Sequence, residues 1–335
     1  MRKYEFARFG PEHLNMVTAD APQPGPDEVV VEVQALSLNF RDVLVVTGGY
    51  NPRLKLPATP ISDGAGVVKA VGENVAGVQI GDRVMSHFIS GWIKGAYRGE
   101  YLATTLGTPS TGLAAEQVAL PASAVVPYPA GYDDEEAATL PIAALTAWNA
   151  LVTEGNLQAG QTVLTLGTGG VSIFALQLAK AMGARVIITS SSDEKLARAI
   201  RLGADHTINY KQNPKWEKRV LELTGGTGAD VVVENGGIKT LSQSILATRP
   251  GGTVSMLGAL TGLKGEVDIG PLLMNRVRIA GILVGSRETF TDMVRFIEEH
   301  GIKPVICMRF AFGQLPDALG YMQSAHHLGK IVVTM

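Results

Sequence analysis

Thr162-Val163-Leu164-Thr165-Leu166-Gly167-Thr168-Gly169-Gly170-Val171-Ser172 decides how this chain folds. A run of β-branched and apolar residues stops at a glycine cluster, and an amphipathic pattern over 172–182 begins at once. The pattern predicts a strand, a tight turn and a helix. Such a turn gathers free backbone N–H groups and the positive end of a helix dipole at one point, which suits a pyrophosphate. Residues 167–172 fit the pattern G-x-G-x-x-small, with Ser172 in the third place. The pattern alone is weak evidence. Here it follows a strand, opens a helix and starts a run of strand–helix units, which makes it strong. A nicotinamide dinucleotide is therefore expected, held by Gly167, Thr168, Gly169, Gly170 and Val171.

Downstream the alternation continues. Strands are predicted at 162–167, 185–190, 206–209, 230–235, 252–257 and 277–284, and helices at 172–182, 193–202, 214–223 and 240–247. Strands alternating with helices mean an α/β unit with a doubly wound parallel sheet. Upstream, 133–151 has a helical apolar period. The first third is rich in Val, Gly and Pro, with strands at 29–36 and 64–72, and reads as a β-rich domain. Periodicity vanishes over 86–112, a stretch carrying Phe88, Trp92 and Tyr97. It walls an apolar pocket or is simply a packed loop, and the sequence favours neither. A helix over 290–299 and a strand over 330–334 close the chain.

The chain has 335 residues, long enough for two domains. With 46% hydrophobic and 18% charged residues it is a well-packed globular protein. A net charge of −2 and the lack of a basic cluster argue against nucleic acid as a partner. The single cysteine, Cys307, excludes an internal disulfide framework and a cysteine-rich metal site. No apolar run is long enough to cross a bilayer, and 1–6 lacks a signal-type apolar core. A soluble, cytoplasmic enzyme acting on a small molecule, with no membrane partner, is the expectation.

The second predicted strand selects the coenzyme. NAD sites place a carboxylate at its end, on the ribose 2′-hydroxyl. Here the strand runs into Ser190-Ser191-Ser192, whose hydroxyls suit a 2′-phosphate, and Lys195 follows one turn later. Asp193 and Glu194 read as favourable charge in the first turn of a helix with Ser192 as N-cap. NADPH is expected over NADH. The Gly-rich stretch 224–228 lacks the Gly-Lys-Ser/Thr of a P-loop and reads as a turn.

Further motifs carry a resemblance. They are Leu38-Asn39-Phe40-Arg41-Asp42 followed by Gly49-Tyr50; Asp63-Gly64-Ala65-Gly66-Val67-Val68 leading to Val71-Gly72 and Gly81-Asp82-Arg83-Val84; Leu145-Thr146-Ala147-Trp148; Leu202-Gly203-Ala204-Asp205 with Ile208-Asn209-Tyr210; and Gly329-Lys330-Ile331-Val332-Val333. With the glycine cluster, they make the chain resemble the zinc-free quinone oxidoreductase branch of the medium-chain dehydrogenase/reductase superfamily over nearly its whole length. The resemblance implies a GroES-like β-rich catalytic domain, 1–127 with 287–335, around a Rossmann domain, 128–286. By the same resemblance Asn39 stands in the place of a first zinc-ligating Cys and Ser62 in that of a His. Neither is a usual zinc ligand, so no metal is expected. His13, His87, His206 and His300 are isolated, and His326 and His327 are neighbours that point apart on a helix.

The residue roles that follow are implied by the resemblance. Asn39, Asp42 and Tyr50 are the catalytic candidates: Asn39 facing the nicotinamide, Asp42 as its orienter, Tyr50 as the hydroxyl nearest substrate. A cap or turn role for Asn39 and Asp42, and a pocket-lining role for Tyr50, compete with these. Thr146 touches the nicotinamide end. Ser190, Ser191, Lys195 and Tyr210 hold the 2′-phosphate. Asn235, Gly258, Val284, Ser286 and Lys330 complete the cofactor set. Tyr50, Phe88 and Trp92 line the substrate pocket. The chain departs from the family at Ile61, where a glycine usually follows the proline, and in the length of 86–112. The implied activity is metal-free hydride transfer from NADPH to a quinone, enone or enal. A zinc-free alcohol dehydrogenase or aldehyde reductase, and a low-turnover NADPH-binding sensor or structural protein, remain alternatives. A homodimer is expected, paired through the edge strand 277–284.

Overall fold

The computed structural model describes all 335 residues. They form two units, 1–143 with 285–335, and 144–284. In chain order the first unit contributes β1 (Arg2–Phe6), β2 (Leu14–Thr18), β3 (Glu28–Ser37), α1 (Phe40–Val46), β4 (Asp63–Val71), β5 (Arg83–Ser86), β6 (Gln117–Pro121), β7 (Val125–Pro127) and α2 (Asp134–Ala138). The second unit holds α3 (Leu145–Trp148), β8 (Thr162–Leu166), α4 (Gly170–Ala181), β9 (Arg185–Ser190), α5 (Asp193–Arg201), β10 (His206–Asn209), α6 (Trp216–Leu223), β11 (Ala229–Glu234), α7 (Ile238–Ala247), β12 (Thr248–Met256), α8 (Gly270–Met274) and β13 (Arg278–Gly281). The chain returns to the first unit with α9 (Arg287–His300), β14 (Ile306–Ala311), α10 (Leu315–Gln323) and β15 (Lys330–Thr334).

The second unit is a six-stranded parallel sheet ordered β10-β9-β8-β11-β12-β13. Every residue of β8 is buried, as a central parallel strand covered on both faces requires. Strand order reverses at β8, and its C-terminal end is where a doubly wound sheet binds its ligand. The core packs Leu164, Ile187, Ile208, Val232, Ile245 and Val254.

The first unit is a GroES-like β-rich domain whose seven-stranded sheet runs β14-β15-β3-β4-β5-β7, with β6 also paired to β3. β3 is long and buried enough to take β15 at one end, where Val332 pairs with Ser37, and β6 at the other, where Val29 pairs with Leu120. Phe6, Leu36, Leu38, Ile61, Leu106 and Ile331 are fully enclosed in its core.

Some elements depart from the expected boundaries. The first division falls at Ala143/Ala144, not at 127/128, because α2 packs on β3 and β4. The second falls just before Gly285, which leaves Ser286 in the first unit. The helix expected over 133–151 is broken into α2, a π turn at Leu140–Ala144, α3 and a second π turn at Asn149–Thr153. Pro141 has no N–H to give the ladder, and the Ile142 N–H is spent on Asp63 Oδ2 at 3.1 Å. The strand expected over 277–284 shortens to Arg278–Gly281, and α4 begins at Gly170, two residues early. No helix is long and apolar enough to cross a membrane.

Candidate active site

In the second unit, the bend after β8 is built for an anion. Gly167 adopts a left-handed φ of +76°, which closes the turn and favours glycine at that position. Gly169 is the N-cap of α4, and no side chain caps that twelve-residue helix. The first-turn N–H groups of Gly170 and Val171 therefore point their donors and the dipole outward. Ser172, the third small residue, is buried and donates to Leu166 O at 2.7 Å, bracing the turn from within. Asn235 braces it too, through Leu166 O at 3.2 Å and Ser172 Oγ at 2.8 Å. Its amide is thus a positioning group. Gly258 lies so close to Asn235 that a Cβ there would meet its carbonyl oxygen at 1.7 Å. Glu234, a residue the sequence reading missed, accepts from Gly236 N, Gly237 N and Thr240 Oγ1 at 2.6–2.9 Å and from Ser244 Oγ, which fixes the turn after β11.

At the end of β9, Ser190 is buried and its hydroxyl accepts from Ser192 N at 3.3 Å. Ser192 caps α5 through Lys195 N, as the sequence predicts. Asp193 is engaged by Asn209 Nδ2 at 2.7 Å and Gln212 Nε2 at 3.0 Å, so its carboxylate ties a loop. Ser191 and Lys195 are half-buried beside that cap, and Tyr210, 41% exposed, follows β10 with its N–H on Ser190 O. Thr146 is buried in α3. Val284 takes a φ of +36°, a strained value for a β-branched residue, and its carbonyl is held by Asn149 Nδ2 at 2.5 Å.

In the first unit, residues far apart in sequence meet around the start of α1. Lys330, on β15, donates to Asn39 Oδ1 and to Leu38 O, both at 2.7 Å. The Asn39 amide donates in turn to Asp63 Oδ2, on β4, at 2.8 Å. Asp42 reaches back one turn to the Asn39 N–H at 2.8 Å, which is half of a capping box. Asp42, Asp63 and Lys330 are buried, so this is two carboxylates and one ammonium away from water. Burial pushes both carboxyl groups up, Asp42 against the pull of Arg41 and, more weakly, Lys330, and Asp63 to about 7 against that of Lys330; burial pushes the Lys330 ammonium down.

The structure gives three of the expected residues these surroundings. Asp42 is sealed from solvent and accepts from the Asn39 N–H, which is the orienting place expected of it. Lys330, expected at the cofactor, spends two of its three hydrogens inside the cluster. Ser286 is the N-cap of α9, accepting from Thr289 N at 3.1 Å. Asn39 is half-buried and keeps one Nδ2 hydrogen uncommitted. Of the pocket set, Tyr50 is 41% exposed, while Phe88 and Trp92 are buried at 2% and 9%. Trp92 donates to Gly95 O at 2.9 Å and meets Tyr97 edge-on at 5.2 Å, so 86–112 is a packed loop at that point. Ile61 supplies the left-handed turn, φ +71°, at the place where the family usually has glycine. Asp63 and Lys330 were legible only as parts of motifs.

Two buried groups give opposite pH dependence. Burial lowers His87 to about 4. Between about 6.5 and 4 the unfolded chain binds a proton that the folded chain refuses, so this term costs stability as pH falls, up to about 3 kcal/mol. Asp63 is raised instead. Between about 4 and 7 the folded chain holds a proton that the unfolded chain has lost, so its contribution is full below about 4 and disappears as pH rises through 7. Urea unfolding at pH 4.5 and 7.5 separates them: relative to the parent, His87→Gln gains stability on acidification and Asp63→Asn loses it. The same pH slope in all three proteins would contradict both assignments.

Comparison with known proteins follows the same division. Residues 25–130 match the alcohol dehydrogenase GroES-like domain, and residues 170–299 match the zinc-binding dehydrogenase family. A zinc-type alcohol dehydrogenase-like protein of Schizosaccharomyces pombe is 44% identical over 331 residues, covering 97% of this chain and 96% of its own. A quinone oxidoreductase of Pseudomonas aeruginosa is 35% identical over 273 residues, 81% of this chain and 77% of its own. The crystal structure of an NAD-dependent alcohol dehydrogenase superposes with a TM-score of 0.91 at 36% identity, covering all of both chains. The residues here do not fit the zinc ion that one of these family names implies. Asn39 and Ser62, which stand where the resemblance puts zinc ligands, offer an amide and a hydroxyl, and the Lys330 ammonium already lies 2.7 Å from the Asn39 oxygen. No group of three His, Cys, Asp or Glu side chains is placed to hold a metal.

Proposed function

Because the chain belongs to the medium-chain dehydrogenase/reductase superfamily, on its quinone oxidoreductase branch, we propose that it is an NADPH-dependent reductase of activated carbonyl or conjugated acceptors, working without a metal. The observation that carries this reading is the Asn39 amide, held at one end by Lys330 and at the other by Asp63. When bound, the reduced nicotinamide supplies a hydride. The chain supplies binding and placement. Gly167, Gly169, Gly170 and Val171 take the pyrophosphate. The remaining Asn39 Nδ2 hydrogen and the Tyr50 hydroxyl are the donors offered to a developing oxyanion. With no metal to polarise a plain ketone, quinones, enones and enals are the favoured acceptors.

The absence of a carboxylate at the end of β9 supports NADPH, since Ser190 and Ser191 bring hydroxyls suited to a 2′-phosphate and Asp193 is engaged elsewhere. A panel of quinones, enones, aldehydes and primary alcohols, run with NADPH and with NADH, tests both halves. Turnover of quinones or enones with NADPH is expected. Activity confined to alcohols and aldehydes, or to NADH, sinks the reading.

The same reading includes a homodimer. β13 ends its sheet with an unpaired edge, and the adjoining α8 and strand expose Leu273, Met274 and Ile279. A second copy pairing there buries both the backbone groups and the apolar side chains. Light scattering is expected to give twice the mass of the chain, and Met274→Lys with Ile279→Lys to give one. A monomeric parent protein refutes the pairing.

A further inference from the structure

We propose that Arg41 recognises a carboxylate carried by the acceptor. Arg41 is the second residue of α1, and its side chain is only 10% exposed. Its guanidinium carbon lies over the rings of Tyr50 at 4.5 Å and Phe88 at 4.7 Å. Nη1 donates to Leu106 O at 3.2 Å. Room for this comes from Gly107, where a Cβ would stand 3.2 Å from Nη1.

Nε and Nη2 are buried and have no hydrogen-bond partner. These two nitrogens form one edge of the guanidinium, with parallel N–H bonds spaced to meet both oxygens of a planar carboxylate. Contact with aromatic faces offsets the charge but satisfies neither donor.

The bland explanation is that Arg41 neutralises Asp42. The geometry weighs against it. The nearest approach is 3.8 Å, from Nη1 to Asp42 Oδ1, and that oxygen is itself without a hydrogen bond. A guanidinium serving only Asp42 would close that gap with its paired edge. Instead the edge stays buried and unspent, in a side chain stacked on Tyr50, the half-exposed residue expected nearest the substrate. Phe88 is the buried side of the pair, and Tyr50, 41% exposed, is the side open to solvent.

This inference rests on the reductase reading and narrows its substrate class to conjugated acceptors bearing a carboxylate, such as 4-oxo-2-enoates. The reaction itself is unchanged. A hydride passes from the reduced coenzyme to the β-carbon, a proton from solvent reaches the α-carbon, and oxidised nicotinamide is the co-product. The carboxylate is a handle and is not altered.

The test compares 4-oxopent-2-enoate with its methyl ester in the parent protein, Arg41→Met and Arg41→Lys. The parent is expected to favour the acid by about tenfold in kcat/KM, through KM, and Arg41→Met to bring the ratio near one. Arg41→Lys keeps the charge without the paired edge and is expected to retain only part of the preference, so the question stays open to test even if the Met variant does not fold. Calorimetric titration of the acid into each protein separates this inference from the reductase reading. Binding by the parent that Arg41→Lys weakens supports the site even where neither compound is reduced. Equal treatment of acid and ester by the parent, or acid binding unaffected by either substitution, overturns it.

Discussion

Lys330→Met is expected to lower the stability of the folded chain by about 3–5 kcal/mol at pH 8, the usual cost of leaving a buried charge without its partner. The lysine balances two buried carboxylates, Asp42 and Asp63, and holds the Leu38 carbonyl and the Asn39 amide at 2.7 Å each. Methionine fills the volume but supplies no charge and no donor. The effect depends on pH in a defined direction. Asp63 is already raised to about 7 with the lysine present, and without it the carboxyl escapes by taking up a proton. Denaturant midpoints at pH 8 and pH 5 are therefore expected to show a large loss at the first and a smaller one at the second. Asp63→Asn in the same protein is expected to recover part of the loss. A drop below about 1 kcal/mol at pH 8 would mean that the cluster is not balanced as described.

Ser190→Asp carries the second large effect. A carboxylate at the end of β9 repels a 2′-phosphate and accepts from a ribose 2′-hydroxyl. NADPH is expected to bind about a hundredfold more weakly, close to 2.7 kcal/mol, with NADH affinity unchanged or improved. The substitution is tolerable locally because the serine hydroxyl already accepts from Ser192 N, and a carboxylate oxygen can do the same. Fluorescence titration with both coenzymes reads the switch. An unaltered NADPH affinity would place the 2′-phosphate somewhere other than β9.

The two units were unequally legible in the sequence. The parallel sheet was readable because its central strands are buried on both faces and so appear as continuous apolar runs, and because Gly167 punctuates the first of them. The first unit was readable only in part: β3, β4, β15 and α9 lie where the sequence predicts them, and the smaller strands do not show. β6 and β7 are short and pair with β3 and β5, well back in the chain, as β15 does with β3. The site suffers most from this. Asn39 and Lys330 touch across 291 residues of chain, a contact no local pattern contains. Asp63 looked like one more residue at a strand start, and only its burial beside Asn39 reveals its role. Arg41 stood in the sequence only as one member of the motif 38–42. The residues that were legible, Ser192 as a cap and the glycines of the turn, are those whose function is set by neighbours within a few positions.

The placement of β15 inside its sheet sets an order for biosynthesis. All six strands of the parallel sheet leave the ribosome before 330–334 does, so that unit can mature while translation continues. The β-rich unit cannot, because a strand that follows the parallel sheet in the chain must slot between β14 and β3. Lys330 arrives with that strand. The buried ionic cluster is thus completed only after the parallel sheet has been made, and a nascent chain that stalls before 330 carries that sheet while Asn39 still lacks its Lys330 donor.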